Sequence, residues 1–199
     1  METFLKVLDP EDTSTGGGSA SAIAGAMAGA LVAMAARLSD TNQGGADKQY
    51  YDRISAQASQ ISQQLLDGSQ QDALAFQLVR NAYQLSHETD EGKLIRQQAI
   101  QSAWLKAASV PLENAEGCMQ VYELGEELAG CVNPKVLSDL RCGLLLARAG
   151  LLGCLENIYI NLPSLKDANV AGQLAEKASI LSKRFSNLEL SSGINLPKE

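Results

Sequence analysis

Gly16-Gly17-Gly18-Ser19 opens a run that continues ASAIAGAMAGALVAMAARL over residues 20–38. Its larger apolar residues, Ile23, Met27, Leu31, Met34 and Leu38, recur at steps of 4, 4, 3 and 4. That is the period of one helix face. Alanines, Gly25 and Gly29 fill the rest, so the helix is apolar nearly all round. Such a helix belongs inside a protein, where small residues let neighbouring backbones approach closely. It is short and alanine-rich for a membrane span, which takes about 20 strongly apolar residues. The expected helix covers Ala20 to Leu38, with Ser19 as its cap.

Outward from this segment the chain stays helical in character. The five prolines are Pro10, Pro111, Pro134, Pro163 and Pro197, leaving residues 11–110 without one. That stretch is rich in Ala, Leu, Gln and Ser and poor in β-branched and aromatic residues, a helix-forming composition. After a polar loop around Asn42-Gln43-Gly44-Gly45, a long helical pattern runs from about Asp47 to Leu85, with Gly68 the point most open to interruption. Further helices are expected over Thr89 to Val110, with Pro111-Leu112 allowing a kink or restart toward Gly130, then over Ser138 to Asn161 and Lys166 to Leu188, before a short polar tail. The fold class is all-α, a single domain of about six helices around a buried alanine/glycine-rich central helix.

Composition excludes much chemistry. The 199 residues hold 16 Lys and Arg against 23 acids, a net charge of −7, which argues against nucleic acid as a partner. A single histidine, His87, cannot build a multi-histidine metal site, and any His-based triad would have to pass through it. Cys118, Cys131, Cys142 and Cys154 form no C-x-x-C pair and read as reduced, mostly buried thiols. The N-terminal residues show no secretion signal, so a cytoplasmic setting is expected.

Three features remain as places for chemistry. In the long second pattern, Ile54, Ala58, Ile61, Leu65, Ser69, Asp72, Phe76, Val79 and Tyr83 form one stripe, which places a carboxylate on the core side. A buried carboxylate either finds a structural partner, such as an arginine or a helix N-terminus, or has its pKa pushed toward neutrality and exchanges protons with a substrate. Spacing leaves both readings open. Asp139, Gly143, Ala147, Gly150, Cys154, Asn157 and Asn161 line a second face, small in the middle and polar at both ends. Its asparagines read as end caps or as amides turned toward a common ligand. Gly16-Gly17-Gly18-Ser19 before a helix suits an anion, but it is not a Walker loop and follows no strand.

Taken in order, Gly16-Gly17-Gly18-Ser19, Asp72-Ala73-Leu74-Ala75-Phe76, Val110-Pro111-Leu112, Asn133-Pro134 with Ser138-Asp139, and Asn157-Ile158-Tyr159-Ile160-Asn161-Leu162 resemble a known family. It comprises the cyclodeaminase domain of formiminotransferase-cyclodeaminase and the free-standing methenyltetrahydrofolate cyclohydrolases, and the likeness runs from about Phe4 to Phe185. The resemblance implies an all-helical homodimer with a tetrahydrofolate derivative bound in a cleft near the subunit interface. No cofactor beyond the folate substrate, no metal, no nucleic acid and no membrane is implied. Asp72 becomes the expected catalytic acid/base, with Asp139 a weaker candidate for charge or orientation. Gly16, Gly17, Gly18, Ser19, Ser138, Asn157 and Asn161 become expected substrate-binding residues. Thr15 stands where the family usually has proline, and Gln71 where it usually has an acid. The implied reaction is hydrolysis of 5,10-methenyltetrahydrofolate to 10-formyltetrahydrofolate. The alternatives are cyclodeamination of formiminotetrahydrofolate, or a helical dimer that binds without catalysis.

Overall fold

The computed structural model describes residues 2–40 and 45–191; the polar loop at Asn42 to Gly44 and the end of the polar tail lie outside them. Six helices follow one another: α1 (Glu2–Leu8), α2 (Gly17–Ser39), α3 (Lys48–Gln84), α4 (Asp90–Ala129), α5 (Leu137–Asn161) and α6 (Ala168–Ser191). Short 3-10 turns, Pro134–Val136 and Leu162–Ser164, flank α5. No strand occurs among the described residues.

As expected, α2 is the central helix, packed against α3, α4 and α5. Its buried side only partly follows the stripe its large residues suggested. Ala22, Ala28, Val32, Ala35 and Ala36 are fully enclosed, whereas Met27 is 43% and Leu38 48% exposed. Leu31 and Met34 are half-buried. The reason is packing distance. A Cβ added at Gly29 would lie 2.9 Å from the Ala58 carbonyl oxygen, and one at Gly150 would lie 2.8 Å from the Ser21 carbonyl oxygen. Backbones this close favour small residues, so Met27 and Leu38 turn outward, while Ile23 of the same stripe stays buried. Together with the segment Pro134–Ser164, α2 is long and apolar enough to cross a membrane, but 67% of its most apolar window is buried within the bundle.

The two long helices differ from expectation in continuity. Gly68 does not interrupt α3; its missing side chain leaves room for the amide of Asn114, whose Nδ2 donates to the Gly68 carbonyl at 3.4 Å. Nor does Pro111 divide α4, which runs unbroken through it. Proline lacks an N–H, so the Ala107 carbonyl, four residues back, loses its helical donor. Asn161 at the end of α5 replaces it: its Nδ2 donates to the Ala107 oxygen at 2.8 Å. The same bond fastens the end of α5 to α4. The sixth helix is therefore α1, which sequence patterning did not anticipate, rather than a second piece of α4. Beyond the main core, α3 and α4 continue as a two-helix arm with its own small core of Ala75, Val79, Ala82, Ala103, Ala107 and Val110.

The proline repair is testable. Asn161→Ala should cost about 1–3 kcal/mol in urea unfolding by leaving a buried carbonyl unpaired. Adding Pro111→Ala restores an N–H donor to that carbonyl and should recover most of the loss. A double variant no more stable than Asn161→Ala would refute the pairing.

Candidate functional site

The first turn of α2 meets the middle of α3 at Asp72. Gly16 is the N-cap of α2 and supplies no side-chain cap. Ser19 does not cap its own helix, as sequence reading expected; it is buried, and its hydroxyl donates to Asp72 Oδ2 at 2.8 Å. A Cβ on Gly18 would lie 2.7 Å from Asp72 Cγ, so the carboxylate occupies the space that any side chain at position 18 would need. Gly18 is thus the seat of Asp72. Gly17 lies against α5: a Cβ there would be 3.3 Å from Asn157 Nδ2. Gly16 has open space around it.

The partner of Asp72 is therefore a helix N-terminus. The N-terminal end of α2 favours a negative charge, and the Ser19 hydroxyl and backbone both lower the carboxyl's pKa. Burial outweighs them, and the net effect pushes Asp72 above its ordinary value. Asp72 remains half-buried, within reach of solvent, so it can exchange a proton.

The expected site residues divide into two groups. Gly16, Gly17, Gly18, Ser19, Asp72, Asn157 and Asn161 gather where α2 begins and α5 ends. Asn157 Nδ2 donates to the Gly153 carbonyl at 2.8 Å, and Asn161 is committed to Ala107. Ser138 and Asp139 are at the other end of α5. Asp139 precedes Asn157 by 18 residues, about 27 Å along a helix, so the chain does not bring it to Asp72.

Two residues named in the sequence gain a setting. Cys154 lies beneath the site and contacts Cys118 of α4; that contact and burial hold its thiol well above the ordinary value. Both sulfurs are enclosed, whereas Cys131 is half-buried and Cys142 exposed. Nothing in the spacing of four cysteines pairs two of them across helices. The other is Thr15, whose buried hydroxyl has no hydrogen-bond partner among the described residues. It lines a hollow of about 330 Å³ with Ser14, Lys6, Gln70 and Ala73, on the flank of Asp72. His87 is exposed in the turn between α3 and α4, at the tip of the arm.

Residues 1–180 match the formiminotransferase-cyclodeaminase family. The chain belongs to that family. It is 35% identical to a methenyltetrahydrofolate cyclohydrolase of Methylorubrum extorquens, over 92% of this chain and 89% of that one. It is 28% identical to the formimidoyltransferase-cyclodeaminase of Rattus norvegicus, and that match spans 31% of the rat protein's length. A crystal structure of formiminotetrahydrofolate cyclodeaminase from Thermotoga maritima superposes with a TM-score of 0.79 at 26% identity, covering 91% of this chain and 86% of that one. The formiminotransferase-cyclodeaminase relationship thus covers the bundle that holds Asp72, the start of α2 and the end of α5.

The balance at Asp72 predicts a pH-dependent stability. Its folded-state pKa is raised, so the charged form costs stability above that pKa, and the penalty fades as pH falls toward the ordinary carboxylate value. Asp72→Asn keeps an acceptor for Ser19 and removes the charge. It should unfold at higher urea than the wild type at pH 8, with the gap closing as pH is lowered. Equal or lower stability at pH 8 would mean that the Ser19 contacts outweigh burial.

Proposed function

We propose that this chain hydrolyses 5,10-methenyltetrahydrofolate to 10-formyltetrahydrofolate, with Asp72 as the base. The observation that carries the reading is the half-buried Asp72 carboxylate held on the N-terminus of α2, where the start of α2 meets the end of α5. The methenyl carbon is part of a cationic amidinium. A carboxylate there attracts the cation and accepts a proton from the attacking water. Oxygen bonds to the methenyl carbon as Asp72 takes the proton. The resulting carbinol collapses with cleavage of the bond to N5. Asp72 returns its proton to N5 while the hydroxyl proton leaves to solvent, so one proton is released per turnover. Ser19 fixes Oδ2, which sets the carboxylate's orientation before substrate arrives.

Cyclodeamination is the second reading, favoured by the likeness to the Thermotoga maritima cyclodeaminase. There N10 attacks the formimino carbon and ammonia departs, and the same carboxyl supplies the leaving proton. The higher identity to the cyclohydrolase puts hydrolysis first.

A homodimer completes the proposal. Met27, Leu31, Met34 and Leu38 leave an apolar stripe along the outside of α2, and the neighbouring α5 exposes Leu145 and Leu152. A second copy covering this face would bury surface unusual for a monomer to leave in water. Met27→Glu combined with Leu38→Glu should shift sedimentation from dimer to monomer; a monomeric wild type would reject this assembly.

Purified protein should accelerate the loss of methenyl-folate absorbance, and Asp72→Asn should lower kcat by about 10²–10⁴-fold. Wild-type kcat/KM should fall with acidification around a pKa above the ordinary carboxylate value, because only the ionised carboxylate serves as base. Ammonia release from formiminotetrahydrofolate without methenyl turnover would replace hydrolysis by cyclodeamination. An Asp72→Asn variant with full activity would remove the base assignment.

A further inference from the structure

α3 outruns α2. The first turn of α2 lies beside Asp72, yet α3 continues to Gln84, so the face that α2 covers lower down is open beyond that point. Phe76, one turn past Asp72, stands on this face with 44% of its surface exposed. One turn further is Arg80, exposed and without an ion-pair or hydrogen-bond partner among the described residues. By helix geometry Phe76 is turned about 40° and Arg80 about 80° from Asp72, at roughly 6 Å and 12 Å along the axis. Ala75, Val79 and Ala82 turn the other way, into the core of the arm.

A carboxylate, an aromatic ring and an unpaired cation thus follow one another along a single helix face. A tetrahydrofolate has matching parts in the same order. From N10, next to the one-carbon unit, standard bond lengths put the centre of the aminobenzoyl ring about 3 Å away and the nearer glutamate carboxylate about 10 Å away. Two other cations of the N-terminal half are engaged elsewhere. Lys6 pairs with Glu2 at 2.8 Å, and Lys48, at the far end of α3, pairs with Asp40 at 2.8 Å.

We propose that Phe76 and Arg80 hold the aminobenzoylglutamate half of the substrate, Phe76 against the ring and Arg80 on the glutamate carboxylate. This rests on the reading that a methenyl carbon reacts at Asp72. Aromatic rings gain from stacked or edge contacts, and a guanidinium matches a carboxylate's two oxygens. Phe76 and Arg80 thereby set specificity for the folate tail, a role separate from the proton transfer.

The test compares methenyltetrahydrofolate with methenyltetrahydropteroate, which lacks the glutamate. The wild type should show the lower KM for the glutamate-bearing substrate. Arg80→Gln should raise that KM about fivefold to tenfold and abolish the preference between the two. Phe76→Leu should raise KM for both, since both carry the ring. Lys93→Gln, which removes a charge elsewhere on the arm, serves as the control and should keep the wild-type preference. An Arg80→Gln variant that retains the preference, a Phe76→Leu variant with both KM values unchanged, or equal loss in Lys93→Gln would each overturn the inference while the hydrolase reading stands. A wild type that turns over neither substrate would instead overturn the hydrolase reading, and this inference with it.

Discussion

The close approach of α2 to its neighbours governs the rest of the structure. Gly25 and Gly29 on α2, and Gly143 and Gly150 on α5, lie where an added Cβ would press on facing side chains or backbone. At such separations contact runs over backbone and alanine surfaces, and packing has little tolerance for shift. α2 is thereby fixed along its axis, and its first turn is delivered to one place, beside Asp72. A helix held by long side chains has more freedom to slide or rotate. Here a displacement of a fraction of an ångström would drive Gly18 into the carboxylate it seats.

A second constraint fixes the other wall. Pro111 removes a hydrogen bond from α4 at Ala107, and Asn161 takes up the vacancy, so the end of α5 is tied to the base of the arm. The proline does not bend the helix out of continuity because its cost is met from another element. Two family motifs that read as separate in sequence, Val110-Pro111-Leu112 and the terminal Asn161, are the two halves of one contact. The site therefore has a rigid frame on three sides: α2 below, the end of α5 beside it, and α3 carrying the carboxylate.

Helix content and the central place of α2 were legible because alanine, glycine and the absence of proline act locally. The orientation of α2 was legible only in part. Steps of 3 and 4 select a face, but which face turns inward depends on how close the neighbouring backbones come, and that distance is a property of Gly29, Gly143 and Gly150 acting together. Asp72 was legible as a carboxylate on a core stripe, and spacing rightly left its partner open, since the partner lies 53 residues away in sequence. Asp139 and Asn157 shared a helical face, but a shared face is not proximity when 18 residues lie between them. Asn161 looked like a ligand-facing amide for want of any local sign that Ala107 needed a donor.

The choice of partner for Asp72 decides what the carboxylate can do. An arginine in its place would add a full positive charge within hydrogen-bond distance, which lowers a carboxyl pKa and makes a weak base. The N-terminus of a helix contributes only about half a charge, spread over several N–H groups, and here it is reinforced by one hydroxyl. That is enough to orient the group and too little to reverse the effect of burial, so Asp72 keeps a raised pKa while held in one geometry. No cationic side chain pairs with the carboxylate among the described residues, so a cationic substrate meets a negative charge that the helix end offsets only in part. Gly18 and Ser19 divide the work: the missing side chain lets the carboxylate approach the helix, and the hydroxyl fixes which oxygen faces inward. Larger residues at position 18 would move Asp72 away from the helix end and remove its orienting contact, so the triple glycine is explained at this position by the acid it accommodates.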